Sequence, residues 1–496
     1  MQWRLCVAAA AVLLALHALR RLEEDVIPKP WALESLEQSG TAPEHAPEAP
    51  VPSQDLTRVP SHAELEKAKW RPPDFGQVPV LDDAIWQASL DGCAQNSTLH
   101  AFLQRLLQNQ TITIQVYGGS MTYGMGCCAP YSCDRWVDCS WGAQLQSALE
   151  QLRPGRVRLE HRARRGCNLP CALPEVVLAQ RGSFRAPDLI ILDFGQNGWG
   201  GSPENLEEFI RVCHLFMPQT LLLIIWNKDM TNLDPSKGDI KNLQSCRALS
   251  GHYGIPLLNF QAAMEEYTRQ GGNWSQLWPR VLPEEHHPPW RTHAYFTDML
   301  AYWFNRQLGS SESSLQLAPV LRQPDDLNVD QAWIPPLYNV KLEKIQVCLF
   351  PLTSHVAREP NGSPTRSPEG RWQLYEDRRD KPGWITMEPS SDKLRFEVNF
   401  SRKARVVIQY LRSYANIGTA EVEIEGSWLW QHDGKNLQGG KGRSFRAAAE
   451  WGHRISVTQT VMLIGASLPN ASWETGAVSF RLADGPKFKV ISVISC

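Results

Sequence analysis

Two domains of different class are expected from this chain: a three-layer α/β/α domain on a parallel sheet, followed by an all-β sandwich. Three observations predict it. The runs at 188–194 and 220–226 are apolar almost without a break, the pattern of parallel strands buried on both faces. Amphipathic stretches of helical length separate successive strand candidates, as in a helix-covered sheet. Beyond about residue 338 the period changes, and segments such as 394–400 alternate strictly between apolar and polar residues.

In chain order, Ser97 or Thr98 caps an amphipathic helix over 99–107, and Ile112, Ile114 and Val116 alternate in a first strand. A helix over 141–152 ends at Arg153-Pro154-Gly155, since proline cannot continue it and glycine accepts the exit turn. Strands follow at 156–162, 188–194, 220–226 and 255–260, with helices at 175–180, 203–216 and 241–253 and a closing helix at 294–308. The α/β domain thus spans 61–308. A Ser, Pro and Asp-rich connector fills 309–337. The sandwich takes 338–496, with alternating apolar positions at Val422/Ile424, Ile455/Val457 and Val478/Phe480/Leu482.

The first 22 residues form a targeting segment, in which Arg4 and Arg20-Arg21 flank an apolar run from Leu5 to Leu19. It fits a short type II signal-anchor or a cleaved signal peptide, and either places the body of the protein in the secretory pathway lumen. A Golgi type II membrane protein is the expectation; a secreted protein is the alternative. Residues 23–60, rich in Pro, Glu and Ala, form a disordered stem. Glycosylation sequons stand at Asn96, Asn109, Asn273, Asn361, Asn399 and Asn470. The charges nearly cancel, with 50 Lys and Arg against 52 Asp and Glu, so nothing in the bulk electrostatics calls for nucleic acid. The sequence does not determine an oligomeric state.

Twelve cysteines suit an oxidising compartment. Cys127, Cys128, Cys133 and Cys139 crowd one loop, and Cys167 and Cys171 form a second group. The first four could hold zinc, but they lack paired C-x-x-C knuckles, so disulfides are expected. Cys348 and Cys496 would tie the ends of the sandwich together. Cys6 lies in the apolar segment, which leaves an odd number for the body and hence at least one unpaired thiol.

The chemistry centres on Gly118-Gly119-Ser120, which directly follows the first strand and exposes a hydroxyl at the sheet's carboxyl edge. A nucleophilic serine needs a base, a group that orients the base, and donors for the oxyanion. Of the histidines at 286, 287 and 293, only His287 has an acid three residues before it, Glu284. Asn197 follows the third strand, at the same edge as Ser120, and Gly166 follows the second with a backbone N–H to offer.

This ordered set resembles the SGNH (GDSL-type) hydrolase family over about residues 110–308. Gly118-Gly119-Ser120 with Thr122 matches the nucleophile block, Gly166 the glycine block, Gly195-Gln196-Asn197 the asparagine block, and Glu284 to His287 the acid-histidine block. Gly119 stands where the family usually has Asp, and so does Glu284, with Asp193 and Glu285 as alternative acids. The resemblance implies a Ser120, His287 and Glu284 triad with Ser120, Gly166 and Asn197 as the oxyanion hole, and no metal or organic cofactor. It implies ping-pong hydrolysis of an ester, or acyl transfer.

The sandwich carries Trp372, Trp384, Trp428, Trp430, Trp451 and Trp473, which either stack on sugar rings or fill the core. A lumenal domain pair of this kind suits an acylated, O-acetylated glycan substrate. A catalytically silent carbohydrate-binding or adhesion protein is the alternative, with a glycan O-acetyltransferase or a lipid esterase behind it.

Overall fold

A computed structural model describes residues 80–91, 97–108, 110–128, 135–181, 186–195, 202–227, 240–279, 287–312, 337–338, 352–357, 371–376, 382–389, 391–400, 404–426, 429–432, 435–437, 443–450, 456–466 and 474–496. All of them belong to one compact unit, Asp55–Cys496. The N-terminal segment, the stem, most of the connector, Asn96, Asn109, Asn361, Asn470, Cys133 and Cys348 lie outside the described residues. Among the described residues, no helix is long and apolar enough to cross a membrane.

The first domain is built on five parallel strands, β1 (Ile112–Gly118), β2 (Val157–His161), β3 (Leu189–Asp193), β4 (Leu221–Trp226) and β5 (Leu257–Asn259), in the order β2-β1-β3-β4-β5. The chain leaves β1 toward β2 and returns on its other side to β3, so the strand order reverses between β1 and β3. Ligand sites of open α/β sheets form at such reversals, outside the carboxyl ends of the strands. Register places Gly118 beside Asp193, so both strands end at the same level.

The apolar runs are continuous because both faces are covered. Ile112, Ile114, Val116, Leu189, Ile191, Leu221, Leu223 and Ile225 pack under the helices Ser97–Leu107, Trp141–Leu152 and Trp290–Glu312. Tyr117, Ile190, Leu192, Leu222, Ile224 and Trp226 pack on the other side, against Leu169–Arg181, Pro203–Phe216 and Ile240–Tyr253. Each buried aliphatic contributes on the order of 2 kcal/mol, which makes these strands the rigid floor of the site.

Several boundaries differ from expectation for local reasons. The helix expected at 175–180 spans Leu169–Arg181 and accommodates Pro174 in its interior. Asn168 Oδ1 accepts the Cys171 N–H at 3.1 Å and starts that helix, a cap hidden by the two prolines. The fifth strand stops at Asn259, whose side chain accepts the Ala262 N–H at 3.2 Å and caps an unexpected helix, Phe260–Arg269. Asp82 likewise caps the short helix Asp83–Ala88. The closing helix begins four residues early, at Trp290, because Pro289 can supply its first carbonyl without breaking it.

The C-terminal region is antiparallel. Its strands are β6 (Thr353–Val356), β7 (Gln373–Tyr375), β8 (Gly383–Thr386), β9 (Leu394–Phe400), β10 (Arg405–Arg412), β11 (Thr419–Glu425), β12 (Leu429–His432), β13 (Lys435–Asn436), β14 (Arg443–Ala448), β15 (Val457–Ala466), β16 (Glu474–Asp484) and β17 (Phe488–Ser495). One sheet runs β13-β12-β15-β10-β17-β8-β7 with β6 also on β17, and the other runs β14-β11-β16-β9. Phe396, Val422 and Phe480 of the second sheet share a core with Val406, Ile408 and Val493 of the first, which makes the pair a sandwich.

Trp372, Trp384 and Trp430 lie in that core and are essentially inaccessible, so of the two roles open to them from the sequence these three fill the core. Their indole area is the largest apolar surface available to a thin sandwich, and burial is where it contributes most. Trp428, Trp451 and Trp473 lie outside the described residues. At the end of the connector, the Leu337 and Tyr338 N–H groups both donate to the buried Glu207 carboxylate on the Pro203–Phe216 helix.

Candidate active site

The turn after β1 is shaped by close backbone contacts. A Cβ on Gly118 would overlap the Thr122 side chain and lie 2.7 Å from the Asp193 carbonyl, so no larger residue fits there. The chain then coils, with Tyr123 N–H donating to the Gly119 carbonyl and Met125 N–H to the Ser120 carbonyl, each at 3.0 Å. Ser120 is left half-buried at the sheet's carboxyl edge.

His287 reaches it from the far end of the domain. Its Nε2 lies 2.8 Å from Ser120 Oγ, across 167 residues of sequence. With the ring proton on Nδ1, Nε2 accepts the serine hydroxyl, the geometry of a general base on its nucleophile. Gly126 makes this approach possible: with φ at +82°, it presents bare backbone to the histidine, and a Cβ there would lie 2.7 Å from His287 Cβ.

The other histidines serve the frame. His293 is fully buried, and its Nδ1 accepts the Trp141 N–H at 3.1 Å. Burial, and then the nearby His161 and His287, push its pKa down to about 3. His161 Nε2 lies 3.0 Å from the Thr122 carbonyl, which it meets as a donor. His286 is outside the described residues.

Asp193 is corrected as an alternative triad acid. Its Oδ2 accepts Thr122 Oγ1 at 2.8 Å and Trp141 Nε1 at 3.1 Å, and its Oδ1 accepts Asn227 Nδ2 at 2.5 Å. Both oxygens are committed to tying the nucleophile turn, the next helix and the end of β4 together. Burial raises its pKa to about 6, against the lowering effect of those three hydrogen bonds. Sequence reasoning missed this clamp and missed Gly126. The clamp joins residues far apart in sequence, whereas Gly124-Met125-Gly126 did signal positive φ next to the nucleophile.

Gly166 follows β2 with φ at +74°. Its segment is fixed beside the nucleophile strand, because Arg164 N–H donates to the Gly118 carbonyl at 3.0 Å and Cys167 N–H to the Arg164 carbonyl at 3.2 Å. Asn197, Glu284 and Glu285 lie outside the described residues, so the structure brings together Ser120, His287 and the Gly166 turn from the expected set.

Disulfides lock both flanking loops, as expected for an oxidising compartment. Cys127 pairs with Cys139 and Cys167 with Cys171, and Cys128 and Cys496 are also disulfide-bonded. The Cys127, Cys128 and Cys139 sulfurs lie within 4.8 Å of one another, yet as disulfide sulfurs they offer no thiolate to a metal. Cys213 and Cys246 are free and buried, in keeping with an unpaired thiol.

No known family and no curated protein matches the sequence. Solved structures do match. A two-domain esterase (CEX) active on acetylated mannans, co-crystallised with mannopentaose, aligns at 15% identity over 82% of this chain and 97% of its own, with a TM-score of 0.51. The same esterase without that ligand aligns at 16% identity over the same shares, with a TM-score of 0.50. A lipase/acylhydrolase from Enterococcus faecalis aligns over 40% of this chain and 97% of its own at 15% identity, with a TM-score of 0.31. The parallel sheet, the added antiparallel domain and the order of both along the chain are therefore the fold that this chain shares with that two-domain esterase.

Proposed function

We propose that the protein is a serine ester hydrolase that removes O-acyl groups, O-acetyl foremost, from glycans in the secretory pathway. The observation that carries this reading is the 2.8 Å contact between His287 Nε2 and Ser120 Oγ at the carboxyl edge of the sheet. Ser120 attacks the acyl carbonyl while its proton passes to His287. The tetrahedral oxyanion is held by backbone N–H groups of Ser120 and Gly166 and by the Asn197 amide. The sugar hydroxyl then leaves with the proton from His287. Water, activated by the same histidine, releases the acid and restores the serine. Glu284 orients the imidazole.

The glycan class is supported by the match to an esterase active on acetylated mannans along nearly its whole length. The lumenal setting is supported by the disulfides, by the N-terminal apolar segment as a membrane anchor, and by the exposure of sequon residues Asn273 and Asn399.

A fluorophosphonate probe applied to the purified lumenal region tests the mechanism. Labelling of the wild type, lost in Ser120→Ala and His287→Ala, is the expected result, followed by acetate release from acetylated mannan. A well-folded wild type that takes no label would overturn the serine mechanism.

A further inference from the structure

Among the described residues, the sandwich hydrogen-bonds to the α/β domain along the segment 166–171. Three hydrogen bonds cross there. Thr458 N–H donates to the Gly166 carbonyl at 2.9 Å, Thr460 Oγ1 to the Pro170 carbonyl at 3.2 Å, and Gln409 Nε2 to the Cys171 carbonyl at 3.0 Å. Gln409 and Thr460 are register partners on β10 and β15 and so project from the same face of the sheet. Val407, Met462 and Ile494 form a small apolar cluster beside them.

Gln409 is the informative residue. It is only 2% exposed, and its Oε1 accepts Ser492 Oγ at 2.8 Å, so one end of the amide is held by β17 while the other points at the α/β domain. A buried amide is costly unless both ends are satisfied, and an apolar residue would have sealed the interface more simply. What the amide adds is direction, because it fixes one carbonyl of the neighbouring domain in one place.

That carbonyl ends a short, stiff segment. Cys167 and Cys171 are joined by a disulfide, and Gly166 precedes them at φ +74°. On the other side, Arg164 N–H is tied to the Gly118 carbonyl of the nucleophile strand. Gly166 is thus suspended between the nucleophile strand and the sandwich, and the bonds on either side of it limit how its peptide units can turn.

We infer that Gln409, Thr460 and the Thr458 N–H are positioning residues for the Gly166 oxyanion donor, which makes the sandwich a working part of the esterase site. The inference rests on the proposed esterase reading. An oxyanion donor acts on charge that develops only in the transition state, so loosening it lowers kcat and leaves KM nearly unchanged.

The test uses the whole lumenal region with p-nitrophenyl acetate as substrate, comparing wild type, Gln409→Met, Thr460→Val and a control, Val422→Ala. Val422 is buried in the four-stranded sheet on β11 and has no part in the site. Gln409→Met is expected to lower kcat by ~10- to 100-fold with KM within about 2-fold, a size in line with a donor displaced by a fraction of an ångström. Thr460→Val is expected to lower it by about 3- to 10-fold, as the weaker of the two contacts. Val422→Ala is expected to lower Tm at least as far while kcat holds. Wild-type kcat in both interface variants, or a kcat that falls with Tm in Val422→Ala as well, would overturn the inference alone. A wild type that neither turns over nor takes a fluorophosphonate on Ser120 would remove the esterase reading and the inference with it.

Discussion

Gly126 meets His287 so closely that a Cβ on the glycine would lie 2.7 Å from the histidine's Cβ and 3.0 Å from its carbonyl oxygen. The nucleophile turn thereby sets both members of the proposed pair: its start carries Ser120, and its end is the wall against which His287 rests. The adjacent Cys127–Cys139 disulfide keeps that wall from moving.

Gly126→Ala is therefore expected to displace the imidazole and lower kcat by ~10²-fold, since small misplacements at a reacting pair have effects of that size. Gly271→Ala separates this from backbone strain. Gly271 has a similar φ of +90°, but a Cβ there meets nothing within 4 Å. Its cost is about 1 to 2 kcal/mol of stability with activity unchanged. Steady-state kinetics and urea unfolding on the two variants check the pair.

Asp193 predicts a pH signature. Its pKa rises from 3.8 to about 6 on folding, so the folded state holds the proton more tightly than the unfolded state does. The stability it contributes is full below pH ~3.8 and is lost as pH rises to about 6, on the order of 3 kcal/mol in all. Asp193→Asn removes this dependence. The new amide can donate to Asn227 once that side chain turns its oxygen inward, while its carbonyl still accepts from Thr122 and Trp141. Urea unfolding at pH 4 and pH 6.5 should show the variant gaining stability relative to wild type at the higher pH.

Much of this was legible in the sequence, and the limits have physical causes. The sheet could be read because β3 and β4 are buried on both faces, which leaves an unbroken apolar run. Ser120 and His287 could be read because a glycine turn after a strand and an acid-x-x-His spacing are local patterns. The Asp193 clamp and the Gln409 bridge could not. Each joins residues brought together only by tertiary folding, and each consists of polar residues in positions where local pattern suggests a turn or a strand surface. The tryptophans stayed open between two roles for a related reason: alternation shows which residues share a face, but not which face is covered.

Trp430 tests that last point. Its ring packs 5.1 Å from Phe400 in the sandwich core. Trp430→Ala is expected to cost about 3 to 5 kcal/mol in unfolding. Trp430→Phe keeps most of the packing and is expected to leave any glycan-array profile of the wild type unchanged. A selective loss of glycan binding in the phenylalanine variant would return Trp430 to the surface.

His293 acts on pH with the opposite sign to Asp193. Buried and neutral, it keeps its pKa near 3 in the folded state against 6.5 when unfolded, so on acidification the unfolded chain takes the proton first. The stability it contributes is full above pH ~6.5 and is lost as pH falls toward 3, at up to about 1.4 kcal/mol per pH step of one. Between pH 4 and 6 this loss is offset by the gain at Asp193, so the wild type should have a flatter profile there than either group alone would give. His293→Gln keeps an acceptor for the Trp141 N–H and has no proton to take up. Its acid-unfolding midpoint, followed by tryptophan fluorescence, is expected at lower pH than that of wild type, and Asp193→Asn is expected to be more acid-labile relative to its own neutral-pH stability. Coincident midpoints in all three proteins would show that neither buried group governs acid stability.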